Sequence, residues 1–188
     1  GMVYYTSPDR SALLEQLQNQ SIKAICDADW KDLTIERLPE LPDFTLLVGW
    51  TGQVAITDSL IQATEKKRKV ETDSAFYKDF LVKSHAIVQG LQSAWNNQDI
   101  PALQEGIRSN RALLNEFAQV MQLEIETPAL RTLCNLAEQN GACAKTSGAG
   151  GGDCGICFTQ NETQRQQIET QWAKAQIQVL PLSIAEAW

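Results

Sequence analysis

Histidine is all but absent from this chain, His85 being the only one. With one histidine and a single C-x-x-C pair, Cys154-Gly-Ile-Cys157, a four-ligand zinc site is short of partners. A basic excess is missing too: 16 Lys and Arg stand against 23 Asp and Glu, a formal net charge of −7. Nucleic-acid binders carry positive charge to neutralise phosphates, so no nucleic-acid partner is expected. No apolar run approaches the roughly 20 residues that span a bilayer, and no signal-peptide pattern opens the chain, so no membrane role is expected. The G-x-x-x-x-G-K-[ST] spacing of a Walker loop does not occur, and the one glycine-rich run does not open a helix, as a Rossmann fingerprint must. Internal repeats and low-complexity segments are lacking as well.

What is present is ordinary globular material. The 188 residues, 43% hydrophobic, have room for one sizeable core or two small ones and are not expected to be disordered. Gly1 ahead of Met2 reads as a tag-cleavage remnant, with native sequence from Met2. The five cysteines, Cys26, Cys134, Cys143, Cys154 and Cys157, are odd in number and scattered. Cys154 and Cys157 fall in a segment that alternates like a strand, where side chains three apart point to opposite faces. Buried structural thiols in a reduced, cytoplasmic protein are the expectation.

Periodicity then sets the elements. Val3-Tyr4-Tyr5 reads as a short strand, Arg10–Gln20 as a short amphipathic helix with leucines at 13, 14 and 17, and Leu33–Leu38 as a weakly alternating strand. Phe44–Trp50 is apolar on both faces, which suits a central strand. After a helix starting near Thr57, Phe76, Phe80, Ile87, Val88, Leu91 and Trp95 recur at three and four residues, and so do Ile100, Leu103, Ile107, Leu114, Phe117 and Met121 beyond the cap candidate Asp99. Thr127-Pro128 and Gly141 bracket a helix over 128–140. Strands at Ala142–Ser147 and Asp153–Thr159 flank a glycine run, Asn161-Glu-Thr-Gln164 resembles a capping box for a helix to about Ala175, and Ile177–Leu182 closes as a strand. The order from Phe44 onward predicts an α+β fold: a ferredoxin-like split βαβ antiparallel sheet with a helical block inserted in its first crossover.

Two segments carry chemistry. Lys145–Gly155 reads K-T-S-G-A-G-G-G-D-C-G, with four glycines in the five residues Gly148–Gly152. Glycines this dense either satisfy a generous turn or leave successive N–H groups open as a nest for phosphate oxygens. A hairpin needs only one or two glycines, which favours the nest. Lys145 beside it either neutralises a phosphate or snorkels at a strand end. The second segment, Gly49-Trp50-Thr51-Gly52-Gln53-Val54-Ala55-Ile56-Thr57, ends a buried strand in two glycines and several hydroxyls; Thr57 either caps a helix or presents donors to an anion.

The K-T-S-G-A-G-G-G-D-C-G-I run resembles the third signature motif of the GHMP kinases. With L-V-G-W-T-G-x-x-A at Leu47–Ala55, it is most similar to the phosphomevalonate kinase family within them, and the likeness covers nearly the whole chain. The resemblance implies that residues 1–188 form a GHMP kinase C-terminal domain, with 2–43 linking elements and 44–188 the ferredoxin-like core. It implies phosphoryl transfer from ATP, with Mg²⁺ bridging its oxygens, to 5-phosphomevalonate, giving 5-diphosphomevalonate in the mevalonate route to isoprenoids. Ser147, Gly148, Ala149, Gly150 and Gly151, with Lys145 and Thr57, are implied to line the phosphate and substrate.

The departures matter as well. The superfamily's P-x-x-x-G-L-G-S-S motif, its main nucleotide site, does not occur here, and its catalytic aspartate is expected upstream of Val3. No catalytic residue is therefore nominated, and Asp153 is assigned to the glycine motif. The expected partner is the N-terminal half of the kinase, without which the chain is expected to be inactive and prone to homodimerise. A mevalonate kinase-like enzyme and a stand-alone ferredoxin-like anion-binding module remain the alternatives. Lys66-Lys67-Arg68-Lys69 reads as a solvated charge run, His85 as a surface or satisfied histidine, and the tryptophans as core and interface, except Trp50 beside the substrate segment.

Overall fold

The computed structural model describes residues 1–54, 75–182 and 184. The chain forms two compact units, one built on Gly1–Glu40 and one on Leu41–Ile184. In the first, β1 (Val3–Thr6) pairs antiparallel with β2 (Thr34–Arg37), Val3 lying opposite Arg37. α1 (Arg10–Asn19) starts at Asp9, whose carboxylate accepts the N–H groups of Ser11 and Ala12, and α2 (Ile22–Cys26) starts at the Ser21 hydroxyl, which accepts the Ala24 N–H. These caps satisfy N–H groups that have no partner inside the helix. The forecast amphipathic helix forms, but it buries none of its residues: Leu14 and Leu17 are each 51% exposed. Ile25 is buried in this unit, and its carbonyl accepts the Trp30 indole N–H at 2.7 Å.

The second unit runs β3 (Thr45–Trp50), α3 (Ala75–Asn96), α4 (Ile100–Met121), α5 (Pro128–Gln139), β4 (Cys143–Thr146), β5 (Cys154–Thr159), α6 (Glu162–Lys174) and β6 (Gln178–Leu180). Its four strands form one antiparallel sheet in the order β4-β5-β3-β6. Counted along this unit alone, that is 2-3-1-4, the split βαβ arrangement, with helices filling the first crossover. The α+β fold expected from the sequence is the one that forms.

Local chemistry explains the boundaries. Asp99 accepts the Ala102 N–H at the start of α4, and Thr127 accepts the Leu130 N–H at the start of α5, where Pro128 occupies the first turn. Asn161 accepts the Gln164 N–H, as a capping residue should. The Gln164 amide oxygen, however, reaches back to the Gln160 N–H, one residue earlier than in a capping box. Within the helical stripes, Val88 was expected inside but is 39% exposed, while Ala94 and Trp95 are buried. On α4, Leu113 takes the buried position, and Leu114 is only half-buried. Adjacent leucines differ by about 100° around a helix, so the sequence pattern alone leaves that choice open.

The core is strongest on one sheet face. There Leu47, Ala144 and Cys157 meet Leu133, Cys134, Ala137, Ile168 and Trp172 of α5 and α6. The Trp172 indole N–H donates to the Leu133 carbonyl at 3.0 Å, so its polar edge is satisfied inside the core. Gly49 and Gly155 face one another in the β3–β5 ladder. A methyl on Gly155 would meet Leu133 at 2.6 Å, so the missing side chains let α5 lie close on the sheet. On the other face Phe44 stacks on Phe158 at 4.7 Å, with the Trp95 edge against both. Cys157 is fully buried in the core while Cys154 is half-buried on the opposite face, as their spacing within a strand requires.

Candidate phosphate-binding site

The glycine run is the connection from β4 to β5. The Ser147 N–H donates to the Cys154 carbonyl at 2.9 Å and closes the hairpin. Beyond it the backbone takes positive φ at Gly148 (68°), Gly150 (77°), Gly151 (78°), Gly152 (139°) and Asp153 (53°). A chain that turns this way aims successive N–H groups toward one concavity.

Three contacts hold the turn in place. The Gly151 N–H donates to the Ile125 carbonyl at 2.8 Å. The Asp153 N–H donates to the Gln53 carbonyl at 2.6 Å, and the Asp153 carbonyl accepts both the Thr51 N–H (2.8 Å) and the Thr51 hydroxyl (2.9 Å). The two segments singled out in the sequence are thus stitched together, through the Asp153 backbone. The N–H groups of Gly148, Ala149, Gly150 and Gly152 carry no hydrogen bond to any described residue. Gly150 and Gly152 are buried, and buried donors in that state favour an anion or an ordered water as partner, whereas those of Gly148 and Ala149 face solvent.

Of the predicted site residues, Ser147, Gly148, Ala149, Gly150 and Gly151 share this one turn. Gly148 and Ala149 are exposed at its tip, and Gly150 is buried against Ile125. Lys145 is half-buried on β4, two residues before Ser147, and its ammonium donates to the Thr146 carbonyl at 2.8 Å. Burial pushes its pKa down, and no carboxylate pairs with it among the described residues. Thr57, the helix expected near it and the 66–69 basic run lie outside the described residues. His85 is exposed on α3, in keeping with its reading as a surface histidine. Among the described residues, no group of three or more His, Cys, Asp or Glu is placed to hold a metal ion.

A buttress that the sequence did not announce stands behind Ile125. Arg111 on α4 forms two hydrogen bonds with the Glu126 carboxylate, Nε to Oε2 at 2.7 Å and Nη2 to Oε1 at 2.9 Å. It also reaches Glu138 (2.8 Å) and Asn135 (2.9 Å) on α5. Asn115 donates to the same Glu126 carboxylate at 3.1 Å. Burial alone would raise the Glu126 pKa, but hydrogen bonds from Arg111 and Asn115 outweigh it and hold the carboxyl below its ordinary value. Thr51 was legible inside the L-V-G-W-T-G string, although attention fell on Thr57. Ile125 contributes only a carbonyl, which no side-chain pattern can mark.

The β4–β5 turn of this ferredoxin-like sheet thus offers N–H donors that no described residue takes up. Residues 88–178, from within α3 to the start of β6, match the family described as GHMP kinases C terminal. Over those residues the chain is similar to the C-terminal domain of the GHMP kinases. The chain is 34% identical, over 187 residues, to the phosphomevalonate kinase of Streptomyces sp. (strain CL190), a match covering 98% of this chain and 50% of the relative. Among solved structures, a Lin0012 protein from Listeria innocua superposes with a TM-score of 0.89 at 32% identity. Streptococcus pneumoniae phosphomevalonate kinase in complex with phosphomevalonate and AMPPNP does so with 0.80 at 28%. Each of these matches covers 95% of this chain and 50% of the other. The chain thus spans about half the length of the relatives it matches.

Among the described residues, no helix is long and apolar enough to cross a membrane.

Proposed function

We propose that this chain is the C-terminal part of a phosphomevalonate kinase, which transfers the terminal phosphoryl group of ATP to 5-phosphomevalonate and forms 5-diphosphomevalonate. The observation that carries the reading is the clamped loop whose N–H groups at Gly148, Ala149, Gly150 and Gly152 are taken up by no described residue. In this proposal Ser147 to Gly151 cradle phosphate oxygens, Lys145 adds positive charge beside them, and Thr57 offers a hydroxyl to the substrate phosphate. Residues 44–188 act as the ferredoxin-like core and 2–43 as linking elements.

Donors fixed in advance stabilise charge as it shifts between oxygens without having to reorganise, which is the main resource of phosphoryl-transfer enzymes. Bound ATP would bring Mg²⁺ on its phosphates, where the ion neutralises developing charge. The described residues supply no carboxylate cluster for that ion, so its protein ligands are assigned to the N-terminal half of the enzyme, together with the principal nucleotide site and the catalytic aspartate.

The test is ADP release from ATP with 5-phosphomevalonate, using this chain alone and the same chain joined to the N-terminal half of a phosphomevalonate kinase. Activity is expected only in the joined protein. An ordinary kinase rate from the chain alone would refute the division of labour. A joined protein that phosphorylates mevalonate but not its phosphate would move the assignment to mevalonate kinase.

A further inference from the structure

We propose that Arg111, acting through Glu126, is a positioning residue for the glycine loop: it sets the carbonyl against which the N–H cradle is registered. The proposal rests on reading that loop as a phosphate site.

The chain of contacts is short. The Ile125 carbonyl that accepts the Gly151 N–H lies in the same peptide plane as the Glu126 nitrogen. That plane is rigid, so fixing Glu126 fixes the direction of the carbonyl. Glu126 is fixed from several sides: its side chain is 2% exposed, gripped by the Arg111 fork, bonded to Asn115, and 3.6 Å from Arg131. Arg111, 12% exposed, is itself held by Glu138 and Asn135. One guanidinium therefore ties α4, α5 and the connection between them into a single frame.

A buried ion pair is weak evidence for stability, because desolvation offsets much of the attraction; fixing geometry is its better-attested use. The planar two-pronged fork matters here, because a lysine would keep the charge and lose the direction. Downstream there is no slack. Gly150 abuts the Ile125 carbonyl and side chain so closely that even a methyl group does not fit. A tilt of that carbonyl must therefore move the turn, and with it the neighbouring N–H groups of Gly150 and Gly152.

The experiment is hydrogen exchange by NMR on the ¹⁵N-labelled chain, comparing wild type with Arg111→Lys and Glu126→Gln, followed by titration with inorganic pyrophosphate. The Gly151 amide is expected to exchange at least about tenfold faster in both variants, while the core amides of Leu133 and Cys157 change less than about twofold. Pyrophosphate affinity at the loop amides falls in parallel. If all amides accelerate together, Arg111 merely stabilises the fold and the proposal is overturned. It is also overturned if Gly151 exchange is unchanged in both variants. Should pyrophosphate leave the wild-type loop amides unshifted, the phosphate reading fails and takes this role with it; that outcome is recognisable because the Gly151 exchange effect would persist without it.

Discussion

Gly150→Ala adds one methyl group at a point where the surrounding backbone leaves no room. Two costs are separable. At φ +77° an alanine sits in the left-handed region, which costs about 1 kcal/mol relative to glycine. Its Cβ would also lie 2.7 Å from the Ile125 Cγ2 and tighter still on the Ile125 carbonyl oxygen. That carbonyl belongs to the segment pinned by Glu126 and Arg111, so relief must come from the loop, and overpacking of this kind costs about 1–3 kcal/mol. Displacing the loop breaks the Gly151 to Ile125 hydrogen bond, about 1 kcal/mol more. The expected loss is therefore about 3–5 kcal/mol. Gly148→Ala is the internal control. Its φ is +68° and nothing lies within 4 Å of the added carbon, so only the backbone cost of about 1 kcal/mol applies. Urea unfolding of both variants, followed by tryptophan fluorescence and circular dichroism, measures the difference. Stabilities within about 0.5 kcal/mol of each other would refute the argument that the Ile125 carbonyl is a fixed wall.

The thiols and Lys145 give two further tests. Burial pushes Cys134 up to about 12 and Cys143 up to about 11, and raises Cys157 as well. At pH 8 a disulfide reagent should label exposed Cys26 quickly and Cys154 more slowly, because burial and then Asp153 raise the Cys154 pKa. The other three should react only in denaturant; rapid labelling of any of them in the native chain would contradict the packing. Burial depresses the Lys145 pKa, so the folded state gives up this proton more readily than the unfolded one. The cost of holding the ammonium is full below the folded pKa and fades as pH rises toward the ordinary 10.5. Lys145→Met should therefore raise the urea midpoint at pH 7, with a gain that shrinks toward pH 10, while weakening pyrophosphate binding. A lower midpoint at pH 7, or unchanged pyrophosphate affinity, would count against an ammonium waiting for a phosphate.

Much of the fold could be read from residue order because its elements announce themselves locally. Thr127-Pro128 and Asp99 mark helix starts through their own side chains, and β3 and β5 carry apolar runs too long for edge strands. Phase within a helix was harder, as Val88 and Leu113 show, since neighbouring apolar residues compete for one inward position and the facing helix decides. At the site, glycine density betrayed the loop. The partners that shape it, however, act through backbone atoms of Gln53, Ile125 and Asp153. A carbonyl has the same chemistry in every residue, so no sequence pattern can reveal which one is used. The Arg111–Glu126 pair was invisible for a related reason: its members sit on opposite sides of a helix end, at no characteristic spacing.

The hydrogen bond from the Thr51 hydroxyl to the Asp153 carbonyl joins residues 102 apart. Bringing such distant points together costs the unfolded chain about 4 kcal/mol, and the cost grows only with the logarithm of the intervening length. Doubling that interval would add only about 0.6 kcal/mol. The helices between the two halves of the cradle can accordingly lengthen, shorten or acquire insertions over evolutionary time while the cradle itself stays unchanged. Variation among relatives should therefore gather in the helical block, with the turn and its stitching at Thr51 and Asp153 as the part that does not drift.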